Sequence, residues 1–322
     1  MKTTIVIPNY NGIAYLKNCL FSLSEDLKEH PAKVIVVDNG STDGSVSWIK
    51  EEYPEVRLFA LKKNTGFDHA VNVGIRHADT PYVLLLNNDT CVKRGFTKAL
   101  EQALDRDPSV FSVSAAMLSM QDETIMDNGG DLYCALGWAF ARGKDKPAAG
   151  YRKRTEIFSA CAGAAIYRKS VFDEIGLFDE GHFAYLEDVD IGWRAKIFGY
   201  RNLYEPAAKV LHAGSAASGS RYNEFKVRLS SANSVAIIRK NMPLLQILLN
   251  LPFLMVGFVT KFLFFVHKGY GKIYIRGCLT GLFRSPGKCG YAGKMHVSGK
   301  NLKNYVKIQF ELWENLFQRL QN

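Results

Sequence analysis

The first hundred residues alternate between short, nearly continuous apolar runs and longer stretches in which apolar positions recur at helical spacing. The runs are Thr4–Ile7, Val34–Val37, Val56–Leu61 and Tyr82–Leu86. A strand with one solvated face alternates apolar and polar residues, whereas continuous runs belong to strands covered on both faces, as in parallel sheets packed between helices. Between the runs the pattern predicts helices over about 13–23, 44–52, 67–77 and 94–104. This order predicts an α/β fold with a doubly wound, mostly parallel sheet and helices on both faces. Ligands of such sheets bind beyond the carboxyl ends of the strands, so those ends are where chemistry is expected.

Residues 119–155 are rich in Gly, Asp, Lys and Arg without a sustained period, which predicts a mobile loop region. Structure is expected again over 157–212, including a helix from Glu187 to about Phe198, and a further helix over Tyr222–Lys240. An uncharged stretch follows, Asn241–Thr260, extended by Phe262–Val266. Its length suffices to cross a bilayer. Against crossing, it contains Asn241, Gln246, Asn250, Pro243, Pro252 and Gly257, and one crossing would carry the ten Lys+Arg of residues 262–322 across, contrary to the positive-inside rule. A break near Pro252 would instead leave two apolar helices lying in the interface, basic residues towards anionic headgroups; a span and a buried core helix or dimer interface are the alternatives. Tyr305–Leu320 mixes aromatic and basic residues at near-helical spacing, a further surface helix.

Charge divides the chain in the same place. Of a net +10 over 322 residues, residues 1–200 hold 23 Lys+Arg against 27 Asp+Glu, and residues 201–322 hold 18 against 4. Basic surface meets phosphate, whether of nucleic acid, anionic lipid or a lipid diphosphate. The six cysteines (Cys19, Cys91, Cys134, Cys161, Cys278 and Cys289) are scattered without a C-x-x-C pair, which offers neither a zinc cage nor a disulfide framework and suits a reducing cytoplasm. Pro8 stops the first apolar run short of a signal-peptide core, so no secretory leader is expected.

Three strand ends carry similar polar chemistry: Pro8-Asn9-Tyr10-Asn11-Gly12, Asp38-Asn39-Gly40-Ser41-Thr42-Asp43-Gly44 and Asn87-Asn88-Asp89. Each cluster alone reads as turn and cap residues, and Ser41 and Thr42 are expected to cap the next helix. Asp38 and Asp89 differ, because each follows a buried apolar strand, where an unpaired carboxylate is costly without a ligand, a cation or a hydrogen-bond network. Two carboxylates at one sheet edge suit a nucleotide's base or ribose and a metal-bound diphosphate.

The series I-V-I-P-N-Y-N-G, V-V-D-N-G-S-T-D-G-S, N-T-G-F and L-L-L-N-N-D resembles the family-2 inverting glycosyltransferases of the GT-A fold. The resemblance implies that Asp38 contacts the donor's base and that Asp89 is the last carboxylate of the D-x-D metal site, with Asn87 where the first Asp often stands. It makes Pro8, Asn9, Tyr10, Asp38, Asn64, Gly66 and Asn88 the candidate donor-binding set. Asp68 stands where the family usually has a small residue. Gly66 lets the backbone approach the donor or simply turns it into a helix; His69 reads as a solvent-facing helix residue.

A second region carries more information: Gly176-Leu177-Phe178-Asp179-Glu180, then Ala184-Tyr185-Leu186-Glu187-Asp188-Val189-Asp190-Ile191-Gly192-Trp193-Arg194. Acidic residues in a first helical turn favour the helix dipole, and Asp190–Arg194 is an i,i+4 pair. A carboxylate at a helix start beside an apolar wall is also placed to take a proton from an attacking hydroxyl. The same stretch resembles the family's acceptor and base region, which implies Asp188 as general base and Glu187 as the residue that orients it or the acceptor. His212, in V-x-H-x-G-S, is by the same resemblance a ligand of metal or diphosphate, the alternative being a structural histidine.

Together these readings predict a GT-A domain over 1–215 and a helical, basic, membrane-associated region over 216–322. The expected activity is inverting transfer of one sugar from a UDP-, dTDP- or GDP-sugar to a saccharide acceptor, lipid-linked and serving cell-surface polysaccharide synthesis. Asp89 and His212 would hold Mg²⁺ or Mn²⁺, and the protein would lie on the cytoplasmic face of the membrane. The chain lacks the Q-x-x-R-W of processive members, which implies one sugar per acceptor; the motif set is similar to that of rhamnosyltransferases. A sugar nucleotidyltransferase is the first alternative, but Asn9-Tyr10-Asn11-Gly12 is not a glycine-rich, lysine-bearing phosphate loop. A nucleic-acid-binding protein is the second, but the positive charge is interleaved with long apolar runs that fit a membrane better, so no nucleic acid is expected as partner.

Overall fold

The computed structural model describes residues 1–214, 222–284 and 297–321; Ser215, Cys289 and the expected division at 215/216 lie outside them. Its centre is a ten-stranded sheet whose main path runs β10-β12-β6-β11-β4-β1-β2-β3. The amino-terminal strands are β1 (Thr3–Asn9), β2 (Lys33–Asp38), β3 (Arg57–Ala60) and β4 (Tyr82–Leu86), all parallel. Helices α1 (Ile13–Leu27), α2 (Ser45–Glu52), α3 (Phe67–His77) and α4 (Phe96–Asp105) separate them or follow, as the periodicity predicted. Ile5, Ile7, Leu84 and Leu86 point into one core while Val6, Val83 and Leu85 point into the other, so continuous apolar runs were needed.

The sheet then becomes mixed. β11 (Ala164–Arg168) runs antiparallel between β4 and β6 (Val110–Ser119), and β12 (Arg201–His212) returns parallel to β6. The short β5 (Thr90–Val92) pairs antiparallel with the end of β12, setting Thr90 opposite His212. Residues 119–155, expected to be a mobile loop, are built into the fold. They form β7 (Met126–Asn128) on the sheet and the hairpin β8 (Asp131–Cys134)–β9 (Trp138–Ala141), whose Leu132, Tyr133 and Cys134 are buried. β10 (Thr155–Ile157) closes the sheet's edge on β12, and the short α5 (Val171–Ile175) follows β11.

Behind α6 (Glu187–Ile197) the rear of the chain folds back as α7 (Glu224–Asn241), α8 (Leu244–His267), α9 (Gly271–Phe283) and α10 (Leu302–Gln321). One buried cluster joins Tyr133, Phe158 and Trp193 of the front half to Ile237, Leu254, Ile308 and Leu312 of the rear. The expected break at Pro252 does not occur: α8 is one helix of 24 residues with Pro252 inside. A helix loses one backbone bond at a proline, but here residues on both sides of it are anchored to the same surface. Asn250 exchanges amide hydrogen bonds with Gln309 of α10 at 2.8 and 2.9 Å, and the Trp138 indole donates to the Gly257 carbonyl at 3.1 Å. A Cβ on Gly257 would lie 2.0 Å from the Leu136 carbonyl oxygen, so only glycine lets the helix sit this close. Gln246 and Asn250, which argued against a bilayer span, are thus buried against protein.

Candidate active site

The carboxyl ends of β1, β2 and β4 converge on a cleft of about 420 Å³. Pro8, Asn9, Tyr10, Asn64, Gly66, Asn88 and Asp89 all line it, which brings together most of the expected donor set with the expected metal carboxylate. Asp38 lies beneath the floor, 1% exposed. Its Oδ1 accepts the Ser41 N–H at 2.8 Å and its Oδ2 the Asn9 amide at 2.9 Å, while Asn88 donates to Asn9 Oδ1 at 2.7 Å. Three strand ends are therefore tied by one amide–carboxylate chain. Ser41 does not cap α2; its hydroxyl accepts the Asn11 N–H at 2.9 Å, and it is Asp43 that accepts from Ser45 N–H at the helix start. Gly66, at φ +91°, passes so near the Phe183 carbonyl that a Cβ would stand 2.6 Å from its oxygen.

Asp89 sits where β5 turns away from β4, and the β5–β12 pairing sets its Oδ1 3.4 Å from His212 Nε2. That oxygen is buried and has no hydrogen-bond partner. The other ring nitrogen, Nδ1, is 2.8 Å from Asp127 Oδ2. Burial alone would lower the His212 pKa, but Asp127 and Asp89 together raise it to about 9. The imidazole thus shares with Asp89 a point of concentrated negative charge. An orphaned carboxylate oxygen and an imidazole nitrogen aimed at one place fit a divalent cation, with Asp127 orienting the histidine.

A second cavity of about 460 Å³ adjoins the cleft, and Asp188 and Glu187 line it from the start of α6. Only the loop before α6 separates the two spaces: Phe183 and Ala184 face the cleft, Tyr185 and Leu186 the cavity. Phe183, Tyr185 and Leu186 all adopt positive φ (65°, 72° and 68°), a backbone state that side chains resist and that persists only where the surroundings impose it.

The carboxyls here divide into two groups. Asp190 is fully buried but compensated: Arg194 Nη2 lies 2.9 Å away, Lys240 Nζ 3.0 Å, and Asn241 donates at 2.9 Å. Although burial opposes it, Lys240 and Arg194 hold Asp190 well below the usual carboxylate range. Asp188, Glu187, Asp131 and Asp68 form no ion pair among the described residues. Burial, with Glu187 and Asp131 alongside, pushes Asp188 well above the usual range, and its Oδ1 has no partner. Burial lifts Asp131 to about 6, and burial with Asp68 nearby raises Glu187. Asp131, Cys161 and Asp188 bring one donor atom each within 4.8 Å. Burial keeps the Cys161 thiol protonated beside the Asp188 carboxyl, so this trio is suited to holding a proton more than a hard cation.

Asp131 and Asp127 were not among the expected site residues, because the segment bearing them read as loop; Gly129-Gly130-Asp131 was the available signal. His69 is not simply solvent-facing: its Nδ1 lies 2.9 Å from Glu180 Oε2, bracing α3 against the loop.

A mixed sheet with its cleft at the parallel strand ends, an acidic floor and a carboxyl-bearing helix opposite is the GT-A architecture of nucleotide-sugar enzymes. Among solved structures, GalNAc-T7 with UDP, GalNAc and Mn²⁺ superposes at a TM-score of 0.59 and 15% identity, covering 74% of this chain and 48% of that one. The mannosyltransferase PcManGT of Pyrobaculum calidifontis, with GDP-Man and Mn²⁺, gives 0.55 at 17%, covering 88% and 87%. Residues 4–176 match Glycosyl transferase family 2, and the chain belongs to that family. It is 29% identical over 241 residues to the N-acetylglucosaminyl-diphospho-decaprenol L-rhamnosyltransferase of Mycobacterium tuberculosis, covering 67% of this chain and 77% of that protein.

Proposed function

We propose that this glycosyltransferase moves a single sugar, with inversion, from a nucleotide sugar to a hydroxyl of a lipid-linked saccharide. The observation that carries the reading is Asp188: a half-buried residue whose Oδ1 is buried without a hydrogen-bond partner, in the wall of the second cavity. The second cavity receives the acceptor, and Asp188 takes its proton as the hydroxyl attacks the anomeric carbon. A carboxyl raised above the usual range is a stronger base than a solvated one once it has ionised. Asp131 adds to that basicity, and Glu187 orients Asp188 or the acceptor. Attack comes from the face opposite the nucleotide, so one displacement inverts the anomeric configuration. Asp38, beneath the floor with its oxygens accepting from Ser41 and Asn9, serves the base by fixing Asn9 in the cleft, and the amide chain through Asn88 fixes the cleft floor. Asp89 and His212 would hold Mg²⁺ or Mn²⁺, which would supply Lewis-acid stabilisation of the departing diphosphate.

The likeness to the mycobacterial enzyme makes a dTDP-rhamnose donor and an N-acetylglucosaminyl-diphospho-lipid acceptor the first pair to test. Residues 1–215 form the catalytic unit in this reading and 216–322 a membrane-associated helical unit serving cell-surface polysaccharide synthesis. α8 supports an in-plane attachment at the cytoplasmic face. It is docked from Gln246 to Phe265, about 28 Å at helical rise, close to the whole hydrocarbon thickness of about 30 Å. Crossing would drag the catalytic unit into lipid, whereas lying flat buries the outward Leu245, Leu249, Val256 and Leu263.

The test is transfer across UDP-, dTDP- and GDP-sugars with Mg²⁺, Mn²⁺ or EDTA, for wild type and Asp188→Asn, with the product's anomeric configuration read by NMR. Retention of configuration, or normal transfer by Asp188→Asn, would sink the mechanism.

A further inference from the structure

A third cavity, about 370 Å³, opens beside the one that holds Asp188, and the two share Ala139, Phe140, Tyr222, Ser230 and Phe265 in their walls. It is lined by Lys261 of α8 and Arg319 of α10, which reach it from different helices. The Lys261 ammonium lies 5.5 Å from the Trp138 ring centroid, and the Arg319 guanidinium lies 6.0 Å from the same ring and 5.6 Å from that of Phe140. Neither cation has a carboxylate partner among the described residues. The fully buried cations are paired, Arg194 and Lys240 with Asp190 and Lys196 with Glu311, whereas Lys261 and Arg319 are half-buried and face aromatic rings instead. Two like charges in a largely apolar recess repel and lose hydration, a cost that aromatic faces only partly offset. Burial, with Arg319 adding to it, pulls Lys261 down to about 8. Ser230, Ser231, Ser234 and Thr260 add hydroxyls to the same wall.

The surroundings say what kind of anion fits. On one side the recess meets the cavity where the acceptor hydroxyl must reach Asp188. On the other it meets the outward apolar face of α8, with Leu263 60% and Val266 50% exposed. The occupant therefore has an apolar tail, a charged middle and a sugar head. Two cations match two negative charges; a phosphodiester headgroup brings one, and a diphosphate diester brings two. We propose that Lys261 and Arg319 bind the diphosphate of a lipid-diphosphate-linked acceptor, so that its lipid lies along α8 and its saccharide extends to Asp188. This rests on the reading of the acceptor as lipid-diphosphate-linked and adds to it the site that holds the diphosphate.

The probes are farnesyl diphosphate and farnesol, titrated onto the full-length protein in detergent without donor. Wild type is expected to prefer the diphosphate by about tenfold or more, as charge-assisted contacts allow. The double variant Lys261→Met/Arg319→Met should lose the preference and keep farnesol binding, and Asp89→Asn, altered only at the donor side, should retain it. A double variant that keeps the preference overturns the site and leaves the lipid-diphosphate acceptor standing. A wild type that does not distinguish the probes overturns both. If binding to phosphatidylglycerol vesicles falls in step with farnesyl diphosphate, the pair is a headgroup anchor and the proposal is wrong. Should the double variant melt early, Arg319→Lys against Arg319→Gln decides: the charge-keeping change must hold the preference and the neutral one reduce it.

Discussion

The side-chain amide of Asn233, in the middle of α7, donates to the carbonyl of Tyr185 over 2.7 Å, and also reaches the carbonyls of Ala184 and His182. Arg284, just past α9, bonds to Asn233 Oδ1 at 2.6 Å and to the Gly181 carbonyl. The loop carrying three residues at positive φ into Asp188 is therefore held from the rear helices, not by its own sequence. The rear helices thus shape the wall that carries Asp188.

Asn233→Ala should consequently cost activity more than stability. Removing a buried amide costs about 1–3 kcal/mol, a fall of several degrees in Tm for a chain this size. Releasing the loop misplaces Asp188, and kcat should drop by about tenfold to a hundredfold. A Tm that falls while kcat holds would show Asn233 to be a packing residue only.

Asp188→Asn should lower kcat by about 10²–10⁴, the range of a lost general base, with donor affinity within about twofold of wild type. The wild-type rate should also report the carboxyl directly. As a general base Asp188 would act ionised, and burial with Glu187 and Asp131 raises its pKa above the usual carboxylate value. Activity must then rise with pH through an apparent pKa displaced upward from there and fall on acidification. Removing a neighbouring charge should move that limb down: Asp131→Asn lowers the apparent pKa, which pH profiles of kcat/KM for the two proteins will show.

Asp127 makes a separate prediction about the metal. It holds His212 Nδ1 and leaves Nε2 facing Asp89. Outer partners of this kind are worth about 10–100-fold in metal affinity. Asp127→Asn should raise the Mn²⁺ concentration needed for half-maximal transfer by that factor, with kcat recovered at saturating metal. Asp89→Ala should not recover at any concentration tested.

Much of this was legible in the chain. β1, β2, β4 and the four helices up to residue 105 announced themselves because the cores of those strands are covered on both faces, so Leu84 to Leu86 had to be apolar throughout, whereas the three-residue β5 was too short to show. The strand-end motifs lay where a doubly wound sheet puts its ligands. What the pattern hid was short or paired across distance. β7, β8 and β9 have 3 or 4 residues each, too few to show a period, and with them went Asp127 and Asp131. Pro252 read as a break because local propensity says so, yet Gln246 and Asn250 before it and Gly257 after it dock on one surface, and tertiary packing prevails. Nor does any local signal at Asn233 say that it grips a loop some fifty residues earlier.

Asp68 offers a test of stability. Both its oxygens are buried without a hydrogen-bond partner, and burial with Asp179, Asp188 and Asp190 nearby raises its pKa well above the usual range. The folded protein therefore holds a proton at Asp68 that the unfolded chain releases at lower pH. The sign follows: as pH rises above the unfolded value of about 3.9, the folded state loses stability until the raised folded pKa is passed. Asp68→Ala removes this liability and leaves a small gap. The variant should match wild type within about 1 kcal/mol in acid and exceed it at pH 8 by about 1–3 kcal/mol, several degrees of Tm. Thermal melts of both proteins from pH 5 to 8 decide it, since a difference that does not grow with pH would mean that Asp68 is ionised and compensated in the fold.

The outward face of α8 carries the last prediction. Leu245, Leu249, Val256 and Leu263 are 69, 49, 60 and 60% exposed on a helix whose other side is fixed to α10 and the β8–β9 turn. If that face lies in the membrane interface, Leu249→Glu with Val256→Glu removes apolar contact and adds charge facing anionic headgroups. Each lost side chain is worth about 1.5–3 kcal/mol of burial, so binding to phosphatidylglycerol vesicles should weaken by about a hundredfold or more. The catalytic cleft is untouched, so transfer to a water-soluble acceptor should stay within about twofold. Substituting Asn250 instead breaks the amide exchange with Gln309 on the docked side, and should lower Tm without a comparable loss of vesicle binding. A helix that crosses the bilayer predicts another pattern: salt, carbonate and both outward charges would fail to release the protein, and the in-plane reading would be lost.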